Sequence, residues 1–189
     1  MVSIAKNAFL KYAAKLLILY LVLDYGTTIF IGITAPGGYY VEWLDKYFNY
    51  VSWLRNLILS CSKYLMHLLG YDTYLASPIL IRIKHGAGVQ LVYSCLGYGV
   101  LSFWIAFVVV NQAKLSFKLK WLFGGLAVII FSNILRVCIL LIALQKRLYK
   151  PFSIDHHTFY NIVAYLIVIA MMFIFLKQLK KQQATLSSP

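Results

Sequence analysis

Acidic residues are nearly missing from this chain. Five of its 189 positions are Asp or Glu, against 18 Lys or Arg, and charged residues together make up only 12%. Soluble domains average about 25% charged and about 45–50% apolar residues. Here 62% of residues are hydrophobic and the mean hydropathy is +0.78. That excludes an ordinary soluble domain and implies an integral membrane protein. Cysteine is scarce too: Cys61, Cys95 and Cys138 leave one thiol unpaired under any scheme, which excludes a disulfide framework. A net charge of +13 on so apolar a chain does not point to nucleic acid. It points to the lipid bilayer, where basic residues gather at the cytoplasmic face beside anionic headgroups.

Apolar runs set the layout. Residues 9–33 are long enough to cross a hydrocarbon core roughly 30 Å thick. The run lacks a small-residue cleavage site and reads as a retained span, not a signal peptide. Ala35-Pro36-Gly37-Gly38 ends it. Residues 41–69 are helical in pattern but carry Glu42, Asp45, Lys46, Arg55 and Lys63, interleaved with Trp43, Tyr47, Tyr50 and Trp53. That mixture predicts an amphipathic helix on the outer face, with a kinked span over 54–69 as the alternative. Residues 70–78 read as a loop. Residues 79–83 and 89–92 flank His85-Gly86-Ala87-Gly88 and predict a small hairpin. Further spans are expected over about 91–111, 121–144 and 157–176, with a loop holding Lys146, Arg147, Lys150 and Pro151 before the last. The expected architecture is an all-α integral membrane protein with about four transmembrane helices. It forms one polytopic domain over 1–181, followed by a disordered cytoplasmic tail at 182–189.

Charge bias sets the orientation. Lys6, Lys11, Lys15, Lys114, Lys118, Lys120, Lys177, Lys180 and Lys181 place both termini and the 112–120 loop in the cytoplasm. Glu42, Asp45, Asp72 and Asp155 then lie outside, with Asp24 near them. Asp24 is either an interfacial carboxylate or part of a site.

Three spans bring reactive side chains to the same outer leaflet. Leu91-Val92-Tyr93-Ser94-Cys95-Leu96-Gly97-Tyr98-Gly99 places a thiol where a polar segment turns into an apolar one. Arg136 lies within the third expected span, about 22 Å from its inner end at 1.5 Å per residue. A guanidinium there is costly and faces protein or a water-filled cavity by default. Its plainer role is snorkelling to the interface or bonding backbone carbonyls. Asn133, three residues earlier, shares its helix face. Asp155-His156-His157-Thr158-Phe159-Tyr160-Asn161 opens the last span, and His157, Tyr160 and Asn161 share a face. The plainer reading of His156 and His157 is a solvated pair that takes up adventitious metal. Free cysteines are usually small buried hydrophobes, and that description suits Cys61 and Cys138. For Cys95 the distinguishing feature is convergence, since a thiol, a fixed cation and a titratable base reach one level.

Cys95-Leu96-Gly97, Asn133-Ile134-Leu135-Arg136 and the 155–161 stretch, in this order and at these depths, resemble the exosortase/archaeosortase family of membrane transpeptidases. Leu96 stands where many members have a small residue. Aligning on Asp155 selects His156 as the family histidine; aligning on Tyr160, with Asn161 in a glycine position, selects His157. The resemblance covers about residues 79–170. It implies a cysteine-type peptidase or transpeptidase in the cytoplasmic (inner) membrane of a prokaryote, with its site facing outward. The implied substrate is a secreted protein bearing a C-terminal sorting tail: a short motif, an apolar helix and a basic end. Cys95 is then the nucleophile, His157 (or His156) the base and Arg136 the stabilising cation. Asn133, Tyr160 and Asn161 orient them, and neither metal nor organic cofactor is required. The competing readings are a non-enzymatic membrane assembly or transport subunit, and a metal or haem protein using His156 and His157.

Overall fold

Asn49 and Gly97 decide where two of this chain's helices begin. The computed structural model describes residues 2–35, 39–146 and 156–187. In chain order these form α1 (Val2–Thr34), α2 (Glu42–Phe48), α3 (Tyr50–Leu68), β1 (Thr73–Ser77), β2 (Leu80–Ile83), β3 (Gly88–Gln90), a 3-10 turn (Tyr93–Cys95), α4 (Tyr98–Val110), α5 (Leu115–Gln145) and α6 (His156–Ser187). The expected 35–38 turn and 146–151 loop fall largely outside the described residues. Phe9–Thr34, Leu115–Gln145 and Tyr160–Ala184 are long and apolar enough to cross a membrane. With few strands beside them, the protein is an all-α integral membrane protein.

Four sequence expectations change in detail. The span expected over 91–111 is helical only from Tyr98. Its 13 residues reach about 20 Å, short of a full crossing by themselves. The cause is Gly97, whose φ of +71° breaks the helical path between the 3-10 turn and α4. The 41–69 helix is two helices, because Asn49 caps α3 by accepting from the Ser52 amide at 2.8 Å. Asn49 also donates to Asp45 at 2.6 Å, and Tyr40 donates to the same carboxylate at 2.8 Å. Those two bonds hold the Asp45 carboxyl below the usual carboxylate range, and the bond to Asp45 raises the Tyr40 hydroxyl above its own. The loop expected at 70–78 contains β1, so the hairpin is a three-stranded antiparallel meander, β1-β2-β3. Ile81 pairs with Leu75 on one side and Val89 on the other. Finally, α6 stays helical through Ser187, into the stretch read as a tail.

The chain divides into two compact units. The first takes residues 1–28, 98–129 and 162–189. Its core is aromatic: Trp104, Phe107 and Phe175 are fully buried, with Phe117 and Trp121 packed around them. Trp104 donates its indole N–H to the Trp121 carbonyl at 3.2 Å, which satisfies the polar handle of a buried tryptophan. Asn111 ends α4 by donating to the Phe107 carbonyl at 2.7 Å and the Tyr12 hydroxyl at 3.1 Å. Asp24 lies beside the first turn of α4, its Oδ1 3.2 Å from where a Cβ on Gly99 would sit. A carboxylate suits the positive end of a helix dipole.

Gly125 sits directly under the Trp104 indole, and an added Cβ would overlap the ring. Gly124, its neighbour, faces open space. Gly125→Ala is therefore expected to destabilise the detergent-solubilised protein by about 1–3 kcal/mol, the usual range for an overpacked core. Gly124→Ala should leave the thermal midpoint unchanged or slightly raised. Scanning fluorimetry of the two variants separates a packing effect from a general intolerance of alanine in α5.

Candidate active site

The second unit takes residues 29–97 and 130–161. A continuous apolar core holds it together: Val51, Ile58, Leu59 and Met66 from α3; Ile81, Ile83 and Val89 from the sheet; Ile134, Val137, Cys138 and Leu141 from α5. Leu91 extends the sheet by one bond, donating its amide to the Ile79 carbonyl at 2.7 Å. The sheet thus delivers the chain to the turn that follows. In that turn Cys95 N–H bonds the Val92 carbonyl at 2.9 Å and Leu96 N–H bonds the Tyr93 carbonyl at 3.1 Å. Leu96 is fully buried and Cys95 is 7% exposed, so the turn is anchored in the core at both residues.

Two side chains grip this turn, and a third packs against one of them. Asn133 donates to the Leu96 carbonyl at 3.0 Å. Arg136, one turn further along α5, reaches the Cys95 sulfur with Nη2 at 3.6 Å. The Tyr160 ring from α6 lies under the same guanidinium, 5.5 Å from its carbon. Two of these contacts use one helix face, as residues three apart must. The sequence-predicted Cys95, Asn133, Arg136 and Tyr160 therefore meet in one place. Arg136 is half-buried and faces protein instead of snorkelling. Asn161 is exposed on α6. His156 and His157 open α6, and their side chains lie outside the described residues, as does Asp155.

The other thiols behave as structural groups. Cys138 is 2% exposed and donates to the Ser62 carbonyl at 3.7 Å. Cys61 is half-buried on α3.

Sequence reasoning placed Arg55 among interfacial charges. It is instead buried, with its guanidinium carbon 4.4 Å from the centroid of the Tyr93 ring. The available signal was periodicity. Arg55 falls on the same α3 stripe as Val51, Ile58, Leu59, Ser62 and Met66, the face that packs inward.

Gly97 is the hinge of the arrangement. Left-handed backbone costs a non-glycine residue roughly 1–2 kcal/mol. A Cβ there would also lie 2.8 Å from the Asn133 amide nitrogen, displacing the group that holds Leu96. Gly97→Ala should therefore loosen the turn and expose the Cys95 thiol. The measurement is the rate of maleimide labelling of Cys95 in a chain whose other two cysteines are alanine. Faster labelling is expected for Gly97→Ala, with Gly70→Ala, a positive-φ glycine in open space, as the control that leaves the rate alone.

Comparison with known proteins places this geometry in context. A family profile described as transmembrane exosortase matches residues 8–174. No match was found among curated proteins or among solved structures. The matched length takes in the turn around Cys95, the whole of α5 and the start of α6. This multi-pass membrane protein therefore belongs to the transmembrane exosortase family, with the membrane peptidase or transpeptidase role that the family name carries.

Proposed function

We propose that the chain is a cysteine transpeptidase that removes C-terminal sorting tails from secreted proteins at the outer face of the cytoplasmic membrane. The observation that carries this reading is the 3.6 Å contact between Arg136 Nη2 and Cys95 Sγ. A guanidinium in contact with the sulfur is placed to stabilise the negative charge that develops there when the thiol proton is taken.

In the reaction Cys95 sulfur attacks the scissile carbonyl and forms a tetrahedral oxyanion. His157, or His156 in the other alignment, takes the thiol proton and returns it to the departing amine as the C–N bond breaks. Arg136 stabilises the negative charge, first on sulfur and then on oxygen. The acyl group stays on Cys95 as a thioester until an acceptor amine or water attacks, which regenerates the thiol. Asn133 fixes the turn, Tyr160 holds the guanidinium plane by a cation–π contact, and Asn161 borders the path of the incoming chain. The apolar helix and basic end of a sorting tail suit recognition inside the bilayer, where the basic end stays cytoplasmic by the same charge bias that orients the enzyme.

Cys95→Ala should abolish tail removal from a co-expressed tailed substrate, while Cys61→Ala and Cys138→Ala retain it. Arg136→Gln should lower the acylation rate by about 10²–10³-fold, the usual cost of losing one oxyanion donor. Full activity in Cys95→Ala would end the cysteine-enzyme reading.

The two histidines separate by thioester trapping. Adjacent residues on a helix point about 100° apart, so one of the pair is better aimed at the sulfur. His157→Ala should prevent the Cys95 thioester from accumulating, and His156→Ala should leave most of it. The reverse pattern would assign the proton transfer to His156.

A further inference from the structure

A groove of about 530 Å³ lies between α5 and α6, wholly within the first unit. Lys120 and Gln178 give it a polar end, and Phe117, Trp121, Gly124 and Val128 line it along α5. Gly124 keeps it open, since nothing lies within 4 Å of where its Cβ would be. From Phe117 to Val128 the groove follows α5 for about 16 Å, at 1.5 Å per residue. That is close to half of a hydrocarbon core roughly 30 Å thick, the depth of one leaflet.

The polar end lies in a field of one sign. Asn111 at the end of α4 donates to the Tyr12 hydroxyl, and Lys118 donates to the Val109 carbonyl at 2.8 Å. Lys11 and Lys15 on α1 therefore share a level with Lys114, Lys118 and Lys120 on α5. The Phe175 ring packs on Phe117 and Trp121, with centroids 5.3 and 5.6 Å apart, so Lys177, Lys180 and Lys181 follow at the same end of α6. In sequence this unit has one acid, Asp24. Asp24 lies beside Gly99, at the opposite end of α4, about 20 Å off along that helix. The lysines thus have no carboxylate of their own unit at their level.

We propose that the groove binds one acyl chain of an anionic phospholipid, with the lipid phosphate against Lys120 and the Gln178 amide. Basic pockets between spanning helices take anionic headgroups, and an ammonium meets a phosphate as a point charge. The apolar stretch has the depth of a single chain from the leaflet at that end. Charge decides against the other occupants. A second copy inserted the same way brings the same lysines to the same level, and a helix with a basic end does likewise; like charges brought together are repelled. The site does not depend on the cysteine-enzyme reading.

The test uses the full chain in nanodiscs of phosphatidylcholine, into which brominated-chain phosphatidylglycerol or brominated-chain phosphatidylcholine is titrated. In a Trp43→Phe, Trp53→Phe background the emitters are Trp104 and Trp121. Bromine quenches indole at contact, so Trp121 reports a chain in the groove. Half-quenching should come at an about fivefold lower mole fraction of phosphatidylglycerol, the worth of one lysine near an anionic surface. Lys120→Gln should remove most of that preference, and Lys114→Gln, off the groove, should keep it. Gly124→Leu should fill the groove and cut quenching by either lipid. Gly26→Leu, at an equally open glycine on α1, should leave quenching unchanged.

Equal half-quenching fractions for the two lipids in the parent protein would overturn the proposal. So would equal losses from Lys120→Gln and Lys114→Gln, which is what diffuse attraction to a charged surface gives. Unchanged quenching in Gly124→Leu would leave the groove to a helix of a second copy or a partner and overturn it too. Should Gly124→Leu fail to fold, the parent protein and the two lysine variants decide.

Discussion

The arrangement around Cys95 depends on one polar contact in an apolar setting, the Asn133 amide on the Leu96 carbonyl. It holds the 3-10 turn, which left-handed Gly97 keeps from running on into α4, against α5. Within a membrane an unmet backbone carbonyl is costly, and non-helical backbone survives there only where protein satisfies it. Asn133 does so, and the spacing of α5 then brings Arg136 to the sulfur. The glycine, the asparagine and the arginine thus form one device. Gly97 creates room, Asn133 fills it, and Arg136 follows from helical pitch.

The match to the transmembrane exosortase family spans the stretch of chain in which these contacts lie. The family match rests on the sequence over 8–174, and the contacts rest on the fold. In the second unit Cys95, 7% exposed, has its sulfur 3.6 Å from the Arg136 guanidinium on α5. Preorganised charge in a low-dielectric place stabilises charge development more than the same group does in water. Cys138 is buried as well, and its thiol is bound to a carbonyl. Burial alone does not make a cysteine reactive.

The parts of the fold that were legible in the sequence are those set by the bilayer. Long apolar runs gave the spanning helices, because solvent and length restrict the choices to very few. Arg136 was legible for the same reason, as a charge where charge is expensive. The β2–β3 pairing followed from two short apolar runs around a glycine-bearing turn, within a residue or two at each end. The late start of α4 was not legible, since Gly97 is as apolar-compatible as its neighbours and only its backbone angle marks it. β1 was hidden because Thr73–Ser77 pairs with β2 through backbone bonds, which leave little trace in composition. Arg55 was misplaced because amphipathic helices with interleaved charges usually turn their charges outward. Its burial depends on Tyr93, a partner nearly forty residues away.

The far end of α5 carries a third attachment. Gln145 accepts from the Ala87 amide at 2.9 Å, and its side chain occupies the space that a Cβ on Gly86 would need. One helix therefore holds both the thiol turn, through Asn133 and Arg136, and the tip of the β2–β3 hairpin. Arg136 and Gln145 are nine positions apart, which places them about half a revolution from each other around the axis. The interval works as a gauge block. Removing a single residue from it would swing Gln145 by about 100° and draw it back by about 1.5 Å, detaching the hairpin without touching the thiol turn. Side chains along this stretch can vary as packing allows, but its length cannot.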